Sequence, residues 1–212
     1  MDLRCSIFNS PYRTILYSGK PGSDDTDLTP MYHIYTPYAF KDGTTVVSTI
    51  SPSIAHDPTY RFRSGNVLDI KDGTEYDGDG IEEIGQIRWK SLGSTMIEFQ
   101  GKVTKASDLL HHQGFLWKDR SFTGPDGLLY VWHNWETLTV KKSGETKETV
   151  VARFRQSAKL SVKNTLRDNL EITEEGMHMV DMIVVTWVYL WTQVMWSTVG
   201  VPVASGLSVS LK

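Results

Sequence analysis

Cysteine is nearly missing from this 212-residue chain: Cys5 stands alone, so no internal disulfide framework supports the fold. A strong charge of one sign is missing too. Lys and Arg total 22 against 25 Asp and Glu, for a net charge of -3. That balance excludes the global basic signature of a nucleic-acid binder. The first residues, Met1 to Ser6, lack the basic region and apolar run of a secretory leader. No Asn-x-Ser/Thr acceptor occurs. The expected setting is cytoplasmic, including peripheral attachment at membranes. Reaction signatures are absent as well: no Gly-x-Ser-x-Gly elbow, no His-Glu-x-x-His, no P-loop and no dinucleotide fingerprint. The chain therefore reads as non-enzymatic, without a cofactor.

The last absence is the most informative. No charged residue occurs from Met182 to Leu211. Met182 to Trp196 is apolar on nearly every face, so it cannot be a surface helix with one apolar stripe. It needs protein or lipid all round. Thr173 is placed to cap the helix, Glu174 and Glu175 suit its positive end, and Gly200 and Pro202 stop it. A helix over about 174–197 is long enough to span a bilayer, which gives one reading, a C-terminal anchor. Thr186, Thr192 and Gln193 at mid-length, Asp181 near its start and the lack of flanking basic clusters favour the other reading, a buried central helix.

What precedes residue 173 is β-type. Short runs separated by turn residues include Leu3–Phe8, Thr14–Tyr17, Met31–Thr36, Thr44–Ile50, Ile84–Trp89 and Thr95–Phe99. Phe115–Trp117, Leu128–Trp132, Thr137–Val140, Thr149–Phe154 and Leu170–Ile172 continue them. Asp108 to Gln113 suits a single helical turn. Phe122-Thr123-Gly124-Pro125-Asp126-Gly127 is a strong hairpin signal: Pro presets φ, Gly supplies positive φ, and Asp bonds its own backbone. Roughly twelve such strands enclose enough space for one helix. The expectation is a single mainly β domain over 1–212: a closed antiparallel barrel over about 3–172, a central helix over about 174–197 and a tail over 198–212.

At Gly85-Gln86-Ile87-Arg88-Trp89, Phe122 to Gly127, Val151-Ala152-Arg153-Phe154 and Gly176 to Thr186 the chain resembles an uncharacterised fungal family, domain of unknown function 6593, found mostly in basidiomycetes. More distantly it is similar to the tubby C-terminal fold, shared by LURP-one-related proteins and phospholipid scramblases. That resemblance implies a barrel of about twelve strands around a hydrophobic C-terminal helix.

Charge is sorted along the chain. Residues 21–87 carry 12 acids against four bases; residues 141–167 carry eight bases against two acids. A patch from Lys141, Lys142, Arg153, Arg155, Lys159 and Lys163 is the candidate site for an anionic phospholipid headgroup or membrane surface. Arg153 and Arg155 share a strand face by alternation, and Arg suits phosphate. A solvated face balancing the acidic half is the competing reading, and a protein-interaction module without ligand is the alternative function. Other clusters carry weaker chemistry. Glu75 to Gly80 has a calcium-loop rhythm, but Gln86 stands where a bidentate Glu is needed. His111-His112 lacks partners at metal spacing, so no metal is expected. Trp132-His133-Asn134-Trp135 could stack a base or sugar or belong to the core. Cys5 has no evident base and reads as buried. His178 and Asp181 read as satisfied polar groups near the barrel mouth.

Overall fold

Apolar side chains at every second residue make a strand with one buried face, and that pattern recurs here until it meets the helix. The computed structural model describes residues 1–6, 13–19, 28–36, 42–55, 80–114, 118–142, 144–156 and 168–198. The first half contributes β1 (Asp2–Cys5), β2 (Arg13–Ser18), β3 (Thr29–Tyr35), β4 (Thr44–Ile50), β5 (Ile81–Arg88), β6 (Met96–Phe99) and β7 (Lys102–Lys105). The second half contributes β8 (His111–Gln113), β9 (Asp119–Thr123), β10 (Leu129–His133), β11 (Thr137–Val140), β12 (Thr149–Arg155) and β13 (Asn169–Ile172). Two four-residue helices, α1 (Pro52–Ala55) and α2 (Ala106–Leu109), interrupt the strands. A 3-10 segment (Glu174–Met179) leads into the long helix α3 (Val180–Thr198).

All thirteen strands form one antiparallel sheet, in the order β7-β6-β5-β4-β3-β2-β1-β13-β12-β11-β10-β9-β8. The β1–β13 pair, with Leu3 opposite Leu170, joins the two ends of the chain. Register shifts at Leu16/Tyr17, Val47/Ser48 and Leu138/Thr139 add the local twist that coils a sheet. The sheet curls around α3. Ten consecutive helical residues, Ile183 to Thr192, are at most 7% exposed. Ten residues cover nearly three turns, so every azimuth of the helix is enclosed. The same helix, Glu174–Ser197, is long and apolar enough to cross a membrane by length and composition; here the sheet surrounds it.

The wall answers the helix with specific contacts. Trp132 Nε1 donates to Thr186 Oγ1 at 3.1 Å, and Thr186 donates to the Met182 carbonyl at 2.8 Å. Phe154 packs at 5.1 and 4.9 Å from the rings of Trp187 and Trp191, which stack 4.8 Å apart. Trp89 stacks on Tyr189 at 5.5 Å and meets Trp196 edge-on at 4.5 Å. Gln193 Nε2 donates to the Tyr189 hydroxyl at 2.7 Å. Thr186 and Gln193 thus find protein partners, which hydrocarbon does not offer; Trp187 Nε1, Trp191 Nε1 and Thr192 Oγ1 have none among the described residues. A smaller apolar cluster, Ile15, Tyr17, Leu28, Ile50, Ile54 and Ala55, packs separately from this main core.

Four expectations need correction. The strands number thirteen among the described residues, and hydrogen bonds do not close the sheet: β7 and β8 are its two free edges. They are consecutive in the chain, and α2 between them contacts β6, β7, β8 and β9, bridging the seam without a ladder. The helical turn falls at 106–109, and residues 111–113 are a strand. Thr173 does not cap the helix: its hydroxyl bonds the carbonyls of Val150 and Val151 at 3.0 and 3.1 Å. The first residues after it are 3-10 rather than α, with Gly176 N–H bonded to the Thr173 carbonyl at 3.1 Å. Phe115–Trp117, Gly200 and Pro202 lie outside the described residues.

Gly176 makes that tight entrance possible. A Cβ there would lie 2.8 to 2.9 Å from Ile172, Val151 and Ile183. Gly176→Ala should destabilise the fold by about 1–3 kcal/mol through overpacking, measured by urea unfolding. His33, buried in β3, is held neutral by desolvation, which lowers its pKa from 6.5 to about 4. The unfolded chain takes up that proton first, so stability is full above about pH 6.5 and falls as pH drops toward 4. The loss attributable to His33 is about 3 kcal/mol. Unfolding curves against pH should show it, and His33→Phe should remove that part of the slope.

Candidate functional site

Antiparallel order sorts the connections into two ends. With α3 running downward, the upper end carries the 173–179 entrance to the helix and the described connections 100–101 and 124–128. The lower end carries the described connections 89–95 and 134–136, and α3 finishes there. Among the described connection residues, Trp89 and Trp135 and the bases Lys90 and Lys118 belong to the lower end.

Side chains at the lower end follow from local structure. In the β5–β6 connection, the Trp89 N–H bonds the Gly43 carbonyl at 2.9 Å and the Ser91 N–H bonds Asp42 Oδ1 at 3.1 Å. Gly93 turns the chain with φ +100, a left-handed value that favours glycine. This thrusts Leu92 outward at 89% exposure, the highest of the exposed large apolar residues. Lys90 and Lys118 are exposed at the same end. Trp196 and Trp135 are half-buried there, Trp196 against Trp89 and Trp135 against Phe154 at 5.3 Å. The result is a rim of Trp rings with a projecting leucine and lysines, amphipathic groups suited to an apolar–aqueous boundary.

Of the six candidate basic residues, the structure describes four, and these do not lie together. Arg153 and Arg155 are both exposed on β12. Arg153 lies in register opposite Glu171, and Arg155 Nη2 pairs with Glu171 Oε2 at 3.0 Å. Arg155 ends its strand at the lower end. Lys141 and Lys142 follow β11 at the upper end, beside the Val140–Thr149 pair. Six residues of β12 separate the two levels, roughly 20 Å at the rise of a strand. Lys159 and Lys163 lie outside the described residues, in the connection from β12 to β13.

The other candidates resolve in structural terms. Trp132 is fully buried and bonded to the helix, so it stacks on no ligand. His133 is engaged by Asp119, Thr139 and Glu148. Cys5 is buried. No metal-binding group of three or more His, Cys, Asp or Glu occurs among the described residues, and Glu75 to Asp79 lie outside them. Asp181 Oδ1 accepts from the Tyr32 hydroxyl at 2.7 Å; burial, then that bond and the carboxylate charge, raise the Tyr32 pKa. His178 Nε2 lies 3.4 Å from both Asp126 Oδ2 and the Tyr130 hydroxyl. Burial pulls the Asp126 carboxyl upward, but hydrogen bonds from Tyr130 and Leu128 outweigh it and hold the group below the ordinary carboxylate range. Leu92, Lys90 and Lys118 escaped the sequence reading because each is an isolated residue. Only the strand directions bring them together.

The Arg155–Glu171 pair is 63% and 46% exposed, and such pairs contribute little in water. Arg155→Ala should shift the unfolding midpoint by less than about 0.5 kcal/mol equivalent, which chemical denaturation will test.

A protein-family model described as "Family of unknown function (DUF6593)" matches residues 9–195, well over half of the chain. No curated protein and no solved structure matches it. With a family model spanning every strand but β1 and nearly all of the central helix, the chain belongs to the family of unknown function DUF6593.

Proposed function

We propose that this chain is a non-enzymatic, peripheral lipid-binding domain, spanning 1–212, that rests its lower end on an anionic bilayer. One observation carries the reading: the end where α3 finishes presents the half-buried Trp135 and Trp196, the projecting Leu92 and the exposed Lys90 and Lys118. Anionic lipid attracts basic groups near its surface by about 1 kcal/mol each. Leu92 then enters the interface and the half-buried Trp rings sit at headgroup depth. The distant resemblance to tubby-like and scramblase-like barrels supports a lipid role. Arg155, at the end of β12, is nearest this face among the described candidates. Lys141 and Lys142 do not belong to it.

Cosedimentation with phosphatidylcholine vesicles, with and without phosphatidylserine, tests this. Binding should require phosphatidylserine and weaken with added salt. Combined Lys90→Ala and Lys118→Ala should lower affinity on the order of tenfold, and Leu92→Glu should lower it further. Met177→Glu, at the upper end, should leave it unchanged. Binding indifferent to phosphatidylserine and salt, or lost equally with Met177→Glu, would refute the reading.

A further inference from the structure

The seam left open between β7 and β8 holds a cleft of about 760 Å³ at the upper end of the molecule. That volume lies within the range of small-molecule sites. Ile97, Phe99 and Leu109 line its walls, with Met177, Met179 and Met182 from the start of the helix. Methionine adapts its shape to a flexible apolar guest. The polar residues differ in how they are already committed. Asp181 accepts from Tyr32 at 2.7 Å, and Asp108 accepts from Ser107 at 3.1 Å. Lys102 and His111 line the same cleft without an ion pair among the described residues. Both belong to the free edge strands, whose backbone groups on the seam side have no ladder partner. The cleft thus offers an apolar interior, a rim with uncommitted cationic and imidazole groups, and spare backbone hydrogen-bonding groups.

We infer that the seam cleft binds a single-chain anionic amphiphile, with its alkyl chain against Phe99, Leu109 and the three methionines and its carboxylate or phosphate at Lys102. Hydrocarbon meets hydrocarbon, and the anion meets Lys102, while the two lining carboxylates, Asp181 and Asp108, accept from Tyr32 and Ser107. A fully polar ligand would leave the methionines wet. The missing ladder then has a consequence, since a hydrogen-bonded β7–β8 pair would seal the cleft. This site is at the opposite end from the proposed membrane face and does not depend on it.

Dodecanoate, kept below its micelle concentration, is the probe, titrated into the full chain carrying 13C-methyl methionine. The methyl signals of Met177, Met179 and Met182 should shift together and saturate, while that of Met195 at the lower end stays still. Lys102→Glu should weaken dodecanoate on the order of tenfold and strengthen dodecyltrimethylammonium. Thr104→Trp, which fills the cleft from the β7 edge, should abolish the shifts while thermal unfolding stays cooperative. Neither variant should alter phosphatidylserine vesicle binding, so the two sites succeed or fail separately. Shifts confined to Met195, no shifts at all, or affinity indifferent to headgroup charge and to Lys102→Glu would overturn the inference.

Discussion

A helix that is apolar on every side has to be surrounded. Ile183 to Thr192 would otherwise expose Val, Ile, Leu and three large aromatic rings to water, each at a cost of about 1.5–3 kcal/mol. The cost to the polymer is an enclosing wall of many strands, since only a wide curled sheet covers all azimuths of a cylinder about 10–12 Å across. That constraint explains the long antiparallel sheet, its bulges and the inward aromatic residues Trp132 and Phe154. It also explains why β1 pairs with β13, which joins the two halves of the wall before the chain turns inward.

Wrapping a helix leaves two openings and one seam, and the chemistry concentrates there. The lower opening presents Trp135, Trp196, Leu92 and two exposed lysines, Lys90 and Lys118; the seam cleft lies toward the upper. On the wall itself, strand backbone is paired and some of the exposed charges are in ion pairs, such as Arg88 with Glu98 and Arg155 with Glu171. Function on such a scaffold therefore belongs to the ends and the unpaired edge. Those are the places where backbone and side chains are not fully occupied by the fold.

Much of the scaffold was legible in the sequence because periodicity reports burial. Thr44–Ile50 and Thr137–Val140 read directly as strands, and Asp126 bonds the Leu128 N–H at 3.1 Å as its hairpin pattern requires. The charge-free helix announced its own enclosure. The edges were not legible. Lys102–Lys105 and His111–Gln113 are strands without an alternating apolar face, polar except for Val103, with lysines at the β7 edge that discourage further pairing. Local pattern cannot reveal a strand whose only support is a neighbour. The same limit hid the failure of closure, which depends on α2 occupying the seam. The basic patch was half legible: alternation correctly aligned Arg153 and Arg155, but linear proximity in sequence joined them to Lys141 and Lys142, which strand direction sends to the opposite end.

Amide hydrogen exchange along α3, followed residue by residue, tests the enclosure most directly. If the sheet surrounds the helix, the amides of Ile183 to Thr192 open only with global unfolding. They should then be as protected as the best-protected strand residues, and equally so with or without detergent. Exchange of these amides well ahead of the strands, or protection that appears only on adding detergent, would mean that the helix is not held inside its own sheet.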